Sequence, residues 1–187
     1  MGNKLGAQKR NGPENLEDLC KKYHFDKTEL KEWIAIFSKH CGDKKFLTPQ
    51  EFCEVYNMTF SGDPGPFTKH VFRTFDRNKN GLVDVKEFII GIGCSTSEDV
   101  NTKLEWAFDV YDINGDGFIT KSEIVDITYA MQKMINKGST LEEARIFTNN
   151  LFKEIGNADK HRITKEEFCS STNNYKKLLD ILDCEAL

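Results

Sequence analysis

The sequence predicts an all-α fold in which four helix–loop–helix units form two lobes, with short β-bridges between paired loops. The first observation is a five-residue unit, Thr or Asp, two variable residues, Glu and an apolar residue, that occurs four times with its glutamates 36, 36 and 44 residues apart. The second is that each unit has the capping box of a helix start, with Thr or Asp at the N-cap and Glu three residues later. The third is an amphipathic helical stripe before each unit.

The four units and the stripes before them set the order of the helices. The units are Thr48–Phe52, Asp84–Phe88, Thr120–Ile124 and Thr164–Phe168. Apolar residues at helical spacing precede them in four sets: Leu30, Trp33, Ile34 and Phe37; Phe67, Val71, Phe72 and Phe75; Leu104, Ala107, Phe108 and Tyr111; and Ala144, Phe147, Leu151 and Ile155. Each unit is therefore expected to begin the second helix of a pair.

Three segments follow from this order. Residues 1–13 are expected to be a flexible basic tail, residues 14–95 the first pair of units and residues 96–187 the second pair with a C-terminal helix. Gly91 and Gly93 precede a polar stretch, so they are candidates either for a hinge between the lobes or for the end of a helix.

Composition excludes several classes of protein. The chain of 187 residues has 26 basic and 30 acidic side chains, and the resulting net charge of −4 argues against binding to nucleic acid. Hydrophobic residues make up 39%, with 14 Phe, which is enough for a packed core. No apolar run is long enough to span a membrane, and the N-terminus lacks a secretory signal, so we expect a cytoplasmic protein with reduced cysteines.

Two loops match a metal-binding pattern. Residues 76–87 and 112–123 both fit D-x-[DN]-x-[DN]-G-x₅-E, which is the calcium loop of an EF-hand. Gly81 and Gly117 permit the sharp turn, and oxygens at positions 1, 3, 5, 7, 9 and 12 surround the ion. The predicted ligands are Asp76, Asn78, Asn80, Leu82, Asp84 and Glu87 in the second loop and Asp112, Asn114, Asp116, Phe118, Thr120 and Glu123 in the third. We expect two Ca²⁺ ions, with Mg²⁺ as a possible occupant when calcium is low.

The first and fourth loops lack these oxygens. Residues 40–51 and 156–167 have Lys44 and Lys160 at position 5, where a ligand oxygen belongs, and no glycine at position 6. Glu51 and Glu167 are therefore expected to cap helices rather than to bind metal. We expect each of these loops to pair with a calcium loop, so that each lobe holds one ion.

With these motifs the chain resembles the neuronal calcium sensor family of recoverin, visinin and hippocalcin-like proteins. The resemblance is carried by Met1-Gly2-Asn3, by a degenerate first loop with Cys41, by residues 70–76 and by residues 103–112. The inactive fourth loop is most like the recoverin branch, and the chain is identified as a divergent member. The resemblance implies N-myristoylation at Gly2, although Gly6 replaces the usual Ser or Thr. It also implies a calcium sensor that regulates a membrane-associated receptor kinase, guanylate cyclase or ion channel.

A sensor of this kind exposes an apolar groove when calcium binds, and an amphipathic helix of the target enters that groove. The residues expected to line it in the first lobe are Trp33, Phe37, Phe52, Tyr56, Phe72, Phe75 and Phe88. The alternative for most of this aromatic set is ordinary core. A second apolar stripe, near the C-terminus, is expected to pack into the second lobe: Tyr175, Leu178, Leu179, Ile181 and Leu182.

Other functions stay open at this stage. A passive calcium buffer would have the same loops, and a constitutive regulatory subunit, such as that of a calcineurin-like phosphatase, would have the same fold. No catalytic motif is present, so we expect no enzyme activity. The protein is expected to be a monomer or weak dimer that reaches the membrane reversibly if it is myristoylated.

Overall fold

The structure is a computed structural model that describes residues 16–57, 62–135, 140–154, 161–170, 178–179 and 182. Within these ranges the helices are α1 (Leu16–Tyr23), α2 (Lys27–Cys41), α3 (Pro49–Asn57), α4 (Gly65–Phe75), α5 (Val85–Ser95), α6 (Val100–Tyr111), α7 (Lys121–Ile135), α8 (Leu141–Glu154) and α9 (Lys165–Ser170). Four short strands lie in the loops: β1 (Phe46–Leu47), β2 (Val83–Asp84), β3 (Phe118–Thr120) and β4 (Arg162–Thr164).

The four predicted helix–loop–helix units are present as α2–α3, α4–α5, α6–α7 and α8–α9. Their loops pair through antiparallel strands, β1 with β2 and β3 with β4. In the first pair Leu47 lies opposite Val83, and in the second Ile119 lies opposite Ile163. All four of these side chains are fully buried. The all-α fold of EF-hands with short β-bridges is therefore confirmed, and each ligand-poor loop is joined to a ligand-rich one.

The predicted capping boxes start the second helix of every unit. Thr48 N and Thr164 N donate to Glu51 Oε2 and Glu167 Oε2 at 2.9 Å and 3.0 Å. The second and third units have the same arrangement, described with their loops below. Glu51 N in turn donates to Thr48 Oγ1 at 3.4 Å, so the two residues satisfy each other's backbone at the helix start. The cap depends only on residues three apart, which is why the sequence predicts it well.

Aromatic rings fill the core of the first two units. Phe52 packs edge-on against Phe72 and Phe75, with ring centroids 5.5 Å and 5.0 Å apart. Phe88 lies between Phe37 and Phe75, at 5.5 Å and 6.1 Å. These five rings are buried, and they were among the residues predicted for the groove.

Helix α1 is not predicted by the sequence analysis, although Leu16, Leu19, Cys20 and Tyr23 have helical spacing. Leu19 is fully buried, and α1 packs against α5. A Cβ atom on Gly93 would overlap the ring of Tyr23, so this glycine permits the close approach of the two helices. The helix thus adds a layer to the first pair of units.

The glycines of α5 do not end a helix. Gly91 and Gly93 are buried inside α5, which continues to Ser95. A Cβ atom on Gly91 would overlap the ring of Phe75, just as one on Gly93 would overlap Tyr23. The interpretation of these residues as helix ends is therefore wrong, because their missing side chains make room for aromatic rings.

The C-terminal stripe packs into the second pair of units where it is described. Leu178 and Leu182 are buried and belong to the hydrophobic core, and Leu179 packs against it. The buried hydroxyl of Tyr111, at the end of α6, donates to the carbonyl of Leu178 at 3.1 Å. Tyr175 and Ile181 lie outside the described residues. The C-terminal segment is therefore anchored to the helix that leads into the third loop.

The two pairs of units contact each other through α4, which packs against both α6 and α7, and through α5, which packs against α6. The division into lobes after residue 95 stays a prediction. Across the described ranges, no helix combines the length and the apolar character that a membrane span requires.

Candidate metal centres

Four carboxylates are buried in the second and third loops. Asp76, Glu87, Asp112 and Glu123 are 8%, 7%, 6% and 7% exposed, and no other charged residue in the described ranges is buried. They occupy positions 1 and 12 of the two loops, and none of them has an ion-pair partner among the described residues. A buried charge is costly unless it is paired or coordinates a metal. These four acids therefore indicate that a cation completes the site.

The side chains at positions 1, 3 and 5 of the second loop are oriented by the loop's own backbone. Asp76 Oδ1 accepts the N–H of Asn80 at 3.0 Å, and Asp76 Oδ2 accepts that of Gly81 at 2.8 Å. Asn78 Oδ1 accepts the N–H of Asn80 at 3.0 Å, and Asn80 Oδ1 accepts that of Leu82 at 2.8 Å. Gly81 has φ 81°, the left-handed conformation that the turn requires.

The third loop repeats this geometry. Asp112 Oδ1 accepts from Gly115 N at 2.8 Å and Oδ2 from Gly117 N at 3.0 Å. Asn114 Oδ1 accepts the N–H of Asp116 at 2.8 Å. Asp116 Oδ1 accepts the N–H of Phe118 at 2.9 Å. Gly117 has φ 85°, close to the value at Gly81. Two loops 36 residues apart thus fold alike because they share the same residue types at the same positions.

The glutamate at position 12 has a separate role for each of its oxygens. Glu87 Oε2 accepts the N–H of Asp84 at 3.1 Å and so caps α5, while Oε1 accepts the N–H of Asn78 across the loop at 3.2 Å. Glu123 does the same, with Thr120 N at 2.8 Å on Oε2 and Ile113 N at 3.0 Å on Oε1. Each of these glutamates therefore links the beginning of its loop to the start of the next helix.

In the first loop the donor to Oε1 of the glutamate at position 12 is a lysine ammonium. In the second and third loops the donor is a backbone N–H group of the loop. Glu51 Oε2 caps α3, but Glu51 Oε1 accepts from the ammonium of Lys44 at 2.8 Å. The hydrogen bond from Lys44, followed by those from Thr48, lowers the pKa of Glu51 to about 2. Lys45, at position 6, has φ 63°, so the turn forms without a glycine. The first loop thus keeps the turn at position 6 but contains a 3₁₀-helix at Gly42–Lys44, and its own ammonium neutralises the glutamate.

In the fourth loop the described part is its end. Glu167 N donates to Thr164 Oγ1 at 3.1 Å, which completes the capping box at α9. Lys160 lies outside the described residues. The expected role of Glu51 and Glu167 as helix caps is confirmed.

The donor set of the second and third loops suits a hard cation. In the described ranges, no three His, Cys, Asp or Glu side chains alone converge into a metal cluster. The loops instead combine carboxylates with Asn amides and, at position 7, a backbone carbonyl, and sites built from oxygen alone favour Ca²⁺ or Mg²⁺ over transition metals. The fold and these loops define an EF-hand calcium-binding protein.

Comparison with known proteins narrows this class. Residues 101–172 match the family model of an EF-hand domain pair, and residues 68–90 match that of an EF hand. Human recoverin is 34% identical over 197 residues, which cover 99% of this chain and 94% of recoverin. Neuronal calcium sensor 1 of Lymnaea stagnalis is 33% identical, with 91% of each chain covered. Guanylyl cyclase-activating protein 1 of Gallus gallus is 31% identical, with 83% of this chain and 77% of that protein covered. The chain belongs to the neuronal calcium sensor family as a divergent member, and these relatives support calcium binding and a sensor role.

The structure brings together some predicted residues and not others. The side chains at positions 1, 3, 5 and 12 of the second and third loops accept N–H groups of their own loops, those at position 9 cap the following helices, and the assignment of all of them as metal ligands stays a prediction. Trp33 is half-buried, with its ring 6.3 Å from that of Phe88. The side chain of Tyr56 and the whole of Gly2 lie outside the described residues. Sequence reasoning missed the pairing of Lys44 with Glu51, although the lysine itself was the signal.

Proposed function

We propose that this protein is a calcium sensor in which the second and third loops each bind one Ca²⁺ ion and the first and fourth loops bind none. The observation that carries this proposal is the burial of Asp76, Glu87, Asp112 and Glu123 without an ion-pair partner in the described ranges. By contrast, Glu51 has the ammonium of Lys44 within 2.8 Å. In the first loop a lysine of the chain neutralises the glutamate at position 12, whereas in the second and third loops we propose that a bound ion neutralises it.

In this proposal the ligands are the twelve residues predicted above, six in each loop. A bound Ca²⁺ supplies two positive charges to the three carboxylates of a loop. Glu87 and Glu123 pass the effect to the helices, since each is the third residue of α5 or α7. Any shift of these carboxylates therefore moves the start of the helix that they cap. Mg²⁺ is the competing hard cation at low calcium.

Counting bound ions in the intact protein tests the ligand assignment. We expect native mass spectrometry at saturating calcium to show two ions in the wild-type protein and one in Glu87→Gln or Glu123→Gln. Glu51→Gln is the matched control, because it removes the same group from a loop that should bind nothing, and it should leave two ions. Four ions in the wild-type protein, or two ions in Glu87→Gln, would contradict the assignment.

The sensor proposal includes a groove that opens with calcium. Of the seven predicted groove residues, five are buried rings of the first core, so a helix from a target needs a rearrangement to reach them. A fluorescent dye that binds exposed apolar surface separates the sensor from the passive buffer. We expect calcium to increase dye fluorescence in the wild-type protein but not in the Glu87→Gln, Glu123→Gln double variant. Equal fluorescence with and without calcium would favour the buffer.

The proposed target is a membrane-associated signalling protein, such as a receptor kinase, guanylate cyclase or ion channel. One relative is named as an activator of guanylyl cyclase, which supports this class of target. Myristoylation at Gly2 and reversible membrane association complete the proposal. Sedimentation of the acylated protein with vesicles, with and without calcium and against Gly2→Ala, tests both. A constitutive regulatory subunit would instead co-purify with a large partner in the absence of calcium.

A further inference from the structure

Helix α4 leads into the second loop, and its last turn is attached to the third unit through Arg73. The guanidinium donates from Nη1 to the carbonyl of Asp112 at 2.6 Å. From Nη2 it donates to the carbonyls of Asp109 at 2.9 Å and Val110 at 3.0 Å. Three hydrogen bonds from one side chain thus reach the end of α6.

These contacts satisfy groups that the helix itself leaves open. The last carbonyls of a helix have no partner within it, and the partial negative charge of that end favours a cation. A guanidinium presents several donors in a rigid plane, so it is able to hold more than one carbonyl. Arg73 is half-buried, and burial lowers its pKa against the opposing effects of Asp112, Asp109 and Glu123. Two of the three hydrogen bonds, those to Asp112 and Val110, are therefore partly shielded from solvent.

The position of Arg73 connects the two calcium loops. Asp76, the first ligand of the second loop, lies one helical turn after Arg73 on the same chain. Asp112, whose backbone carbonyl Arg73 holds, is the first ligand of the third loop. No other side chain in the described ranges donates hydrogen bonds from one of these loop entrances to the other.

The opposite end of α4 is also tied to the third unit. Gly62 N donates to Met134 O and Asp63 N donates to Lys133 O, both at 2.9 Å. Both carbonyls belong to the last turn of α7. Helix α4 is thus held at its start by α7 and at its end by α6, the two helices of the third EF-hand.

We propose that Arg73 is a positioning residue that couples the two calcium sites, so that an ion in the second loop changes the affinity of the third. Calcium at the second loop acts on Asp76 and hence on the last turn of α4. Arg73 transmits a displacement there to Asp112. This inference rests on the proposed function, since it requires that both loops bind calcium. By linkage, the third loop changes the affinity of the second by the same factor.

Site-resolved titration of the whole protein tests the coupling. The amide groups of Gly81 and Gly117 donate to Asp76 and Asp112, so their NMR signals report on the two loops separately. The half-saturation of the third loop is measured at buffered free calcium with the second loop intact and with Glu87→Gln. The ratio of the two values is the coupling factor, and we expect it to differ from one by about fivefold or more.

The same ratio is then measured in three variants of the arginines. Arg73→Gln should bring the coupling factor to within about twofold of one. Arg73→Lys keeps the charge but not the planar donors, so it should also reduce the ratio, and its unfolding curve shows whether the fold survives. Arg77→Gln is the matched control, because Arg77 is exposed at the second loop and should leave the ratio unchanged.

The outcomes separate this inference from the proposed function. If the signals of Gly81 and Gly117 do not respond to calcium, the proposed function is wrong. If both respond but the wild-type ratio is one, or if folded Arg73→Gln and Arg73→Lys proteins keep the wild-type ratio, Arg73 does not couple the sites. A ratio lost equally in Arg77→Gln would make net charge, not the hydrogen bonds, the cause.

Discussion

Replacing Gly62 by alanine should loosen the attachment of α4 to α7. A Cβ atom at this position would overlap the backbone oxygens of Lys133 and Met134. These atoms belong to a helix end, so they cannot rotate away as a flexible side chain does. Overpacking of this kind costs about 1–3 kcal/mol, and each of the two backbone hydrogen bonds contributes about 0.5–1.5 kcal/mol. Alanine also lowers the conformational entropy of the unfolded chain, and this stabilises the folded protein by about 0.4–1 kcal/mol.

If both hydrogen bonds are lost, these contributions add to a net loss of about 1–6 kcal/mol in the free energy of unfolding. Urea unfolding followed by circular dichroism measures it. Gly65→Ala is the matched control, because its nearest neighbour would be the side-chain oxygen Asp63 Oδ1 at 3.2 Å, which is able to move. We expect Gly65→Ala to change stability by less than about 0.5 kcal/mol. Equal midpoints for the two variants would refute the argument that α4 is tied to α7 at Gly62.

Three further predictions concern single contacts. Lys44→Gln should raise the pKa of Glu51 from about 2 towards its ordinary value of 4.5, measured by carboxyl NMR titration. Because the pKa is lowered in the folded protein, the stabilisation is present above pH 4.5 and is lost as the pH falls towards 2, and the variant should show less of this loss. Gly91→Ala should lower the melting temperature despite a gain of about 1 kcal/mol in helix propensity, because the new methyl group overlaps a buried ring; a higher melting temperature would contradict this. Tyr111→Phe should cost about 1–2 kcal/mol in urea unfolding, because the buried carbonyl of Leu178 loses its donor, and an unchanged midpoint would contradict this.

The parts of the fold that depend on local spacing were predictable from the sequence. The capping boxes join residues three apart, and the calcium loops are fixed by twelve consecutive positions. Gly81 and Gly117 have the positive φ that their position in the loop requires. The pairing of Leu47 with Val83 also follows, because both stand at the same position of neighbouring loops.

Contacts between distant segments were not predictable in the same way. The hydrogen bonds of Arg73 join residues 36 to 39 positions apart, and the apolar periodicity of α4 and α6 does not predict them. The helix-end alternative for Gly91 and Gly93 was wrong because a glycine near a polar stretch usually ends a helix, whereas here tertiary packing requires both glycines inside one; the hinge alternative stays a prediction. Helix α1 was missed for a different reason, since its short apolar stripe was visible but lay outside the repeat.

The proposed pairing of each calcium-binding loop with a loop that binds no ion would limit how steeply the protein responds to calcium. Lys44 is part of the chain, so its ion pair with Glu51 does not depend on the calcium concentration. With one proposed ion per pair of loops, no cooperativity arises within a pair, and the Hill coefficient of the whole chain has an upper limit of two. Any Hill coefficient above one must come from communication between the two pairs, through the contacts that α4 and α5 make with the third unit.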